Sequence, residues 1–319
     1  MRSTRGPGTK WGKTFAPAAR DAFTYGGKQY GVPINLDAKV FAYNKKVFAD
    51  AEVKKPTSFQ ELLKTCDTLD KAGYTPIAFG NKHGWPAIHY MTQLNAQWVP
   101  GKVRDADYKP SGGKFTDPGY VRALKSLKEL SKRCFTGQAN GVAHESAQAT
   151  LFQGESAMQF VETFEFPLLS AKDVPKSFKD NWSFFRMPAS AGAPGDQEAL
   201  VGAPDGLLVN PKSKNAGLAV DFLKFFTSKQ NASLMTEMND WLSPVQGSAD
   251  GASPQNKEAL KMISGTKNFA VWLDTVTHTQ VAQAYLSGVE GLLDGSLTPE
   301  EVMAKVREAA KKARAEVGS

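Results

Sequence analysis

Apolar residues recur along this chain at two distinct spacings. Tyr120, Leu124, Leu127 and Leu130 fall three and four positions apart after Asp117, and Leu218, Phe222, Leu223, Phe225 and Phe226 repeat the pattern. Each set predicts a helix that buries one face. Residues 29–34 and 75–79 instead read as extended segments, and helices are predicted over 58–72 and 86–97. Helix starts carry their own signals: Ser58 with Glu61 and Thr298 with Glu301 have capping-box spacing, and Pro118 follows Asp117 at a first helical position. Strands alternating with helices predict α/β layers with largely parallel sheets. Gly- and Pro-rich stretches at 108–113, 188–195 and 247–254 read as surface loops, and no internal repeat is visible.

Composition narrows the classes. A chain of 319 residues exceeds a usual single domain, which favours two lobes. Hydrophobic residues at 41% and charged residues at 22% fit a folded chain with a sizeable interior. The net charge of +7 is spread over amphipathic helices; even the densest stretch, 305–314, is broken or flanked by Glu301, Glu308 and Glu316. That pattern reads as a solvated helix face, not a nucleic-acid surface. No apolar run approaches the roughly 18 residues of a membrane span. Residues 1–8 have the charge of a signal peptide's first region, but Trp11-Gly12-Lys13-Thr14 stands where its apolar stretch belongs, so no export signal is read here. Cys66 and Cys134 are too few and too far apart for a zinc site. Two readings of them stay open: small buried hydrophobes, or a single disulfide in an exported protein.

No motif names a reaction. Gly154-Glu155-Ser156-Ala157-Met158 lacks the closing glycine of a nucleophile elbow, and His144-Glu145 lacks the second histidine of a zinc-binding helix face. There is no phosphate-binding Gly-rich loop, and nothing calls for a cofactor or metal. With four histidines in the chain, a general base is a carboxylate, and Asp37, Glu162, Asp205 and Asp274 are the candidates. The same groups suit a paired-carboxylate hydrolase or a receptor that accepts hydrogen bonds from sugar hydroxyls.

The segment from Ala22 through Tyr30-Gly31-Val32-Pro33, followed by Tyr43-Asn44-Lys45, resembles family 1 extracellular solute-binding proteins of carbohydrate ABC importers. The resemblance continues through Pro56-Thr57-Ser58-Phe59-Gln60-Glu61, Phe152-Gln153-Gly154-Glu155-Ser156-Ala157-Met158, Trp241-Leu242-Ser243-Pro244, Ala284-Tyr285-Leu286-Ser287-Gly288 and the stretch 293–301. It implies an α/β two-lobe periplasmic-binding-protein type II (Venus-flytrap) fold. It also implies a non-enzymatic receptor that holds a mono- or oligosaccharide in a cleft between lobes and delivers it to membrane permease subunits. No nucleic acid is involved, a monomer suffices, and the location is extracytoplasmic, in the periplasm or as a cell-surface lipoprotein. The family's signal peptide and first βα units precede the hairpin that here arrives by residue 30. At about 30 residues per βαβ unit, the expectation is an incomplete first lobe, formed by 1–35 and 203–250, with 36–202 and 251–319 as the second. Two further departures, Val161-Glu162-Thr163-Phe164 and Ala203-Pro204-Asp205-Gly206, fall at expected cleft positions and bear on which sugar fits.

Sugar recognition needs flat apolar surfaces beside carboxylates or amides. By the resemblance Trp85 and Phe164 are stacking platforms, and Asp37 and Asp205 lie where the chain crosses between lobes and anchor a diol. Trp241 is the first lobe's aromatic contribution; Glu162, Asn35, Trp272 and Asp274 follow. The alternatives are a truncated remnant that does not bind and a carbohydrate-active hydrolase.

Overall fold

The computed structural model describes residues 9–111, 113–266 and 269–317, so the basic start, 1–8, lies outside them. The chain divides into two compact units. One comprises 1–38, 162–171 and 202–266; the other comprises 39–161, 172–201 and 267–319.

The larger unit is built on a four-stranded sheet in the order Thr75–Ile77, Ser156–Glu162, Lys39–Asn44, Trp182–Phe185. Thr75–Ile77 runs parallel to Ser156–Glu162, with Ile77 opposite Met158, whereas Lys39–Asn44 is antiparallel to Trp182–Phe185, with Phe41 opposite Phe185. The sheet is therefore mixed, not the largely parallel one expected from the alternation. Lys39–Asn44 and Ser156–Glu162 are buried along their whole length, polar residues included, so neither shows the apolar/polar alternation by which a half-buried strand is read from sequence. Helices Phe59–Lys71, Trp85–Trp98, Pro118–Arg133, Thr279–Leu293 and Pro299–Val317 share the core with the sheet. Tyr120, Leu124, Leu127 and Leu130 all point into it, as their spacing required.

Cys66, on the Phe59–Lys71 helix, and Cys134, capping Pro118–Arg133, form a disulfide with a Cα–Cα distance of 5.2 Å. Both cysteines are fully buried in the same core. The pair ties together two helices through cysteines 68 positions apart in sequence.

Capping chemistry explains the helix starts. Asp117 accepts from the Gly119 amide at 2.7 Å, with Pro118 opening the helix. Ser58 accepts from the Glu61 amide at 3.2 Å. The Glu61 carboxylate turns back over the same helix start, where the amide and hydroxyl of Thr57 donate to it at 2.8 and 2.7 Å. The Thr298–Glu301 box closes in both directions, with the Thr298 amide and hydroxyl each 2.8 Å from the Glu301 carboxylate. Those bonds hold the Glu301 carboxyl below the usual glutamate range, the backbone bond contributing most. A lowered folded-state value means that the cap's contribution is complete above the ordinary glutamate pKa and vanishes as pH falls through the lowered one. An NMR titration is expected to place the Glu301 midpoint below that of the unfolded peptide, and Thr298→Ala, which removes the hydroxyl donor but keeps the amide, to move it part of the way back up. A midpoint at the peptide value would show that the cap does not select the charged form.

The smaller unit has little sheet. Thr24–Tyr25 and Lys28–Gln29 form an antiparallel hairpin whose turn, Gly26-Gly27, has φ of 55° and 72°, a conformation glycine adopts without penalty. Val32–Pro33 pairs antiparallel with Gly206–Leu207. Phe15, Val32, Leu223, Ala232 and Val245 form its buried cluster. Here one expectation fails: the Ala216–Phe226 helix buries only Leu223 fully, and Leu218, Phe222 and Phe225 lie exposed. The periodicity is present, but in these residues the helix meets a small cluster that takes up a single side chain of the stripe.

Candidate functional site

In the larger unit, Gly84 takes φ 76° and Pro86 stands in the first turn, so the helix begins at Trp85. His89 follows four residues later on the same side, with ring centroids 5.0 Å apart. His89 in turn stacks on Trp272, at 3.9 Å and an interplanar angle of 18°. The segment carrying Trp272 is tied to the same helix by a 3.2 Å hydrogen bond from the Leu273 amide to Thr92 Oγ1. His144, first residue of the His144–Gln153 helix, packs on the other side of this group, 4.8 Å from the Trp85 ring. Its carbonyl accepts from Gln159 Nε2 at 3.3 Å.

Lys39 completes the group. It is only 1% exposed, at the start of a wholly buried strand, and its Nζ lies 5.0 Å from the Trp85 ring centroid and 5.9 Å from that of Phe160. An ammonium in such a place is attracted by the negative face of the indole, and fully buried lysines are rare unless paired. Asp274, two residues beyond Trp272, has its Oδ1 buried with no hydrogen-bond partner among the described residues.

The smaller unit gathers the other candidates into two sets. Asn35 and Asp205 extend the Val32–Pro33 pairing: Asn35 Nδ2 donates to Asp205 Oδ2 at 2.8 Å, and the Asp205 amide donates to Asn35 Oδ1 at 2.6 Å. Trp241 joins them through its indole N–H, which donates to the Ile34 carbonyl at 2.9 Å. In the second set, Asp37 accepts from Thr163 Oγ1 at 3.1 Å, the Ala38 amide donates to the same Thr163 Oγ1 at 3.1 Å, and the Thr163 amide donates to the Ala38 carbonyl at 3.0 Å. Glu162 and Glu165 cap that turn reciprocally, the Glu162 amide donating to Glu165 Oε1 at 2.7 Å. Phe164 stands on the turn 46% exposed, which rules out a core phenylalanine there.

The structure thus unites Trp85 with Trp272 and Asp274 in one unit, and Asn35 with Asp205 and Trp241 in the other. It places Asp37, Glu162 and Phe164 around one turn. Lys39, His89 and His144 were missed by the sequence reading. His89 had a signal, its i+4 spacing from Trp85; Lys39 had a weaker one, a cation opening an apolar run; His144 had none.

Comparison with known proteins adds the lineage. An ABC transporter extracellular-binding protein of Pyrococcus horikoshii is 22% identical over 91% of this chain and 64% of its own length. A multiple sugar-binding protein of Streptococcus mutans is 23% identical over 77% of this chain and 58% of its own length. The chain therefore spans roughly three-fifths of these relatives. Among solved structures, a chitin oligosaccharide binding protein superimposes with a TM-score of 0.84 at 25% identity, covering 95% of this chain and 76% of that one. The GacH receptor of Streptomyces glaucescens, at 21% identity, gives a TM-score of 0.76 over 97% of this chain and 77% of its own. These superpositions give the chain the periplasmic-binding-protein fold that its motifs imply. The family model for bacterial extracellular solute-binding proteins matches residues 7–233, more than half of the sequence, and the chain belongs to that family.

Proposed function

We propose that this chain is the carbohydrate-binding receptor of an ABC importer, located outside the cytoplasm, that binds its sugar without transforming it and hands it to membrane permease subunits. The observation that carries this reading is the aromatic group of Trp85, His89 and Trp272 beside polar groups. Flat rings suit the C–H faces of a pyranose, and imidazole, carboxylate and amide groups suit its hydroxyl rim. The smaller unit, taken by itself, carries groups of the same kind, with Asp205, Asn35, Asp37 and Glu162 as acceptors and Trp241 and Phe164 as apolar surface. We take the two compact units as the two lobes.

The relatives support an oligosaccharide: the structural neighbour at 25% identity is a chitin oligosaccharide binding protein, and a curated relative is a multiple sugar-binding protein. The test is a thermal-shift screen against mono- and oligosaccharides of N-acetylglucosamine, xylose and glucose. A ligand selective for the native state raises its melting temperature; at a hundredfold excess over Kd the gain is about 2.7 kcal/mol. One class is expected to shift the midpoint and to be recovered intact after incubation. Recovery of shortened oligosaccharides would instead establish a hydrolase.

A further inference from the structure

On the carbohydrate-receptor reading, on which its effect on binding rests, we propose that Asn81 and Asn140 form a two-amide bracket that positions the Trp85 ring beside His144. The Trp85–Trp98 helix is capped by Gly84, which has no side chain to offer the unpaired amides of the first turn. Asn81 supplies the acceptor from outside the helix, its Oδ1 accepting from the Ala87 amide at 3.1 Å. Asn81 Nδ2 donates to Asn140 Oδ1 at 2.8 Å. Asn140 Nδ2 donates in turn, at 3.0 Å, to the Glu290 carbonyl on the Thr279–Leu293 helix.

Backbone groups fix the direction of this relay at both ends. The Ala87 amide only donates and the Glu290 carbonyl only accepts, so each asparagine has a single orientation that satisfies both of its bonds. The relay also lies where two segments of the larger unit meet. The Asn81 and Lys82 amides donate to the Ala139 and Val142 carbonyls at 2.8 and 2.9 Å. The first of these segments runs into Trp85 and the second into His144, and their ring centroids lie 4.8 Å apart. Asn81 is only 4% exposed, so loss of either amide leaves a bonding group of its neighbour unmatched in a place where that is costly. It also loosens the junction that sets the spacing of Trp85 and His144.

The experiment reads the tryptophans as fluorotryptophan by fluorine NMR, with Trp85 assigned through Trp85→Phe, and titrates the same variants with N-acetylglucosamine, xylose and glucose oligosaccharides. Asn140→Ala is expected to move the Trp85 resonance in the sugar-free protein while those of Trp182 and Trp241 stay in place. It is expected to weaken binding about tenfold, the usual scale for a buried group left unmatched. Asn81→Ala is expected to do both more strongly; should it disturb folding, Asn140→Ala, at a half-buried position, carries the test. In a Trp85→Ala background Asn140→Ala is expected to cost no further affinity, because residues that act as a unit are not additive. A Trp85 resonance that stays in place in the folded Asn140→Ala protein would overturn the proposal whether or not a sugar binds. Unchanged affinity, or losses that simply multiply in the double variant, would overturn it as well. A Trp85 resonance that moves in a protein that binds none of the oligosaccharides would reject the carbohydrate reading and still support the bracket as what positions Trp85.

Discussion

Replacing Trp85 with alanine is expected to weaken carbohydrate binding by at least about thirtyfold while the protein stays folded. The indole stands at the first position of its helix, between His144 at 4.8 Å and His89 at 5.0 Å, with the Lys39 ammonium 5.0 Å from its ring. It is not a fully buried core residue, so its removal does not open a closed cavity in the hydrophobic core. What it removes is the largest flat surface of the group, and truncating such an anchor costs 2 kcal/mol or more, about thirtyfold at 1.4 kcal/mol per factor of ten. Trp85→Phe keeps a ring of smaller area and is expected to lose less than tenfold. Calorimetric titration with the oligosaccharide identified by thermal shift, alongside melting temperatures, checks this. Unchanged affinity in a folded Trp85→Ala protein would remove the aromatic group from the binding site.

The largest stability change is expected from Cys66→Ala with Cys134→Ala. The bond closes a loop of 68 residues, for which the chain-entropy account gives about 4 kcal/mol. Both sulfurs are fully buried in the core shared by the Phe59–Lys71 and Pro118–Arg133 helices, so the double variant also loses a little packing. Chemical denaturation of the variant is expected to show that loss, and reduction of the unmodified protein most of it, because the thiols still fill their space. A loss below about 1 kcal/mol would mean that the unfolded chain is already constrained in this region.

Legibility followed the locality of each signal. The Pro118–Arg133 helix was readable because its cap, its proline and its apolar stripe all lie within 14 residues and agree. The Thr298–Glu301 box was readable for the same reason. At the Ser58 box the spacing identified the cap, but not that the Thr57 amide and hydroxyl are the strongest partners of the Glu61 carboxylate. The disulfide was not decidable from sequence, since pairing depends on two helices meeting across 68 positions. The exposed stripe at Leu218, Phe222 and Phe225 shows the converse limit, because periodicity specifies an apolar face but not what covers it.

The candidate residues divide in the same way. Trp85, Asp205 and Trp241 were named through motifs, and the structure shows why two of them travel together: Asn35 pairs with Asp205, and Trp241 bonds to the neighbouring Ile34 carbonyl. Lys39, His89 and His144 emerged only in three dimensions. Their closeness to Trp85 is produced by a strand, one helix and the start of another, which no short motif spans.

The most direct test of the account is isothermal titration of the chain with N-acetylglucosamine, xylose and glucose oligosaccharides. The expected result is binding of one oligosaccharide class to a single site with a micromolar Kd, near 8 kcal/mol. No heat from any class, in protein that unfolds cooperatively, would contradict a carbohydrate receptor and leave a folded chain that does not bind sugar.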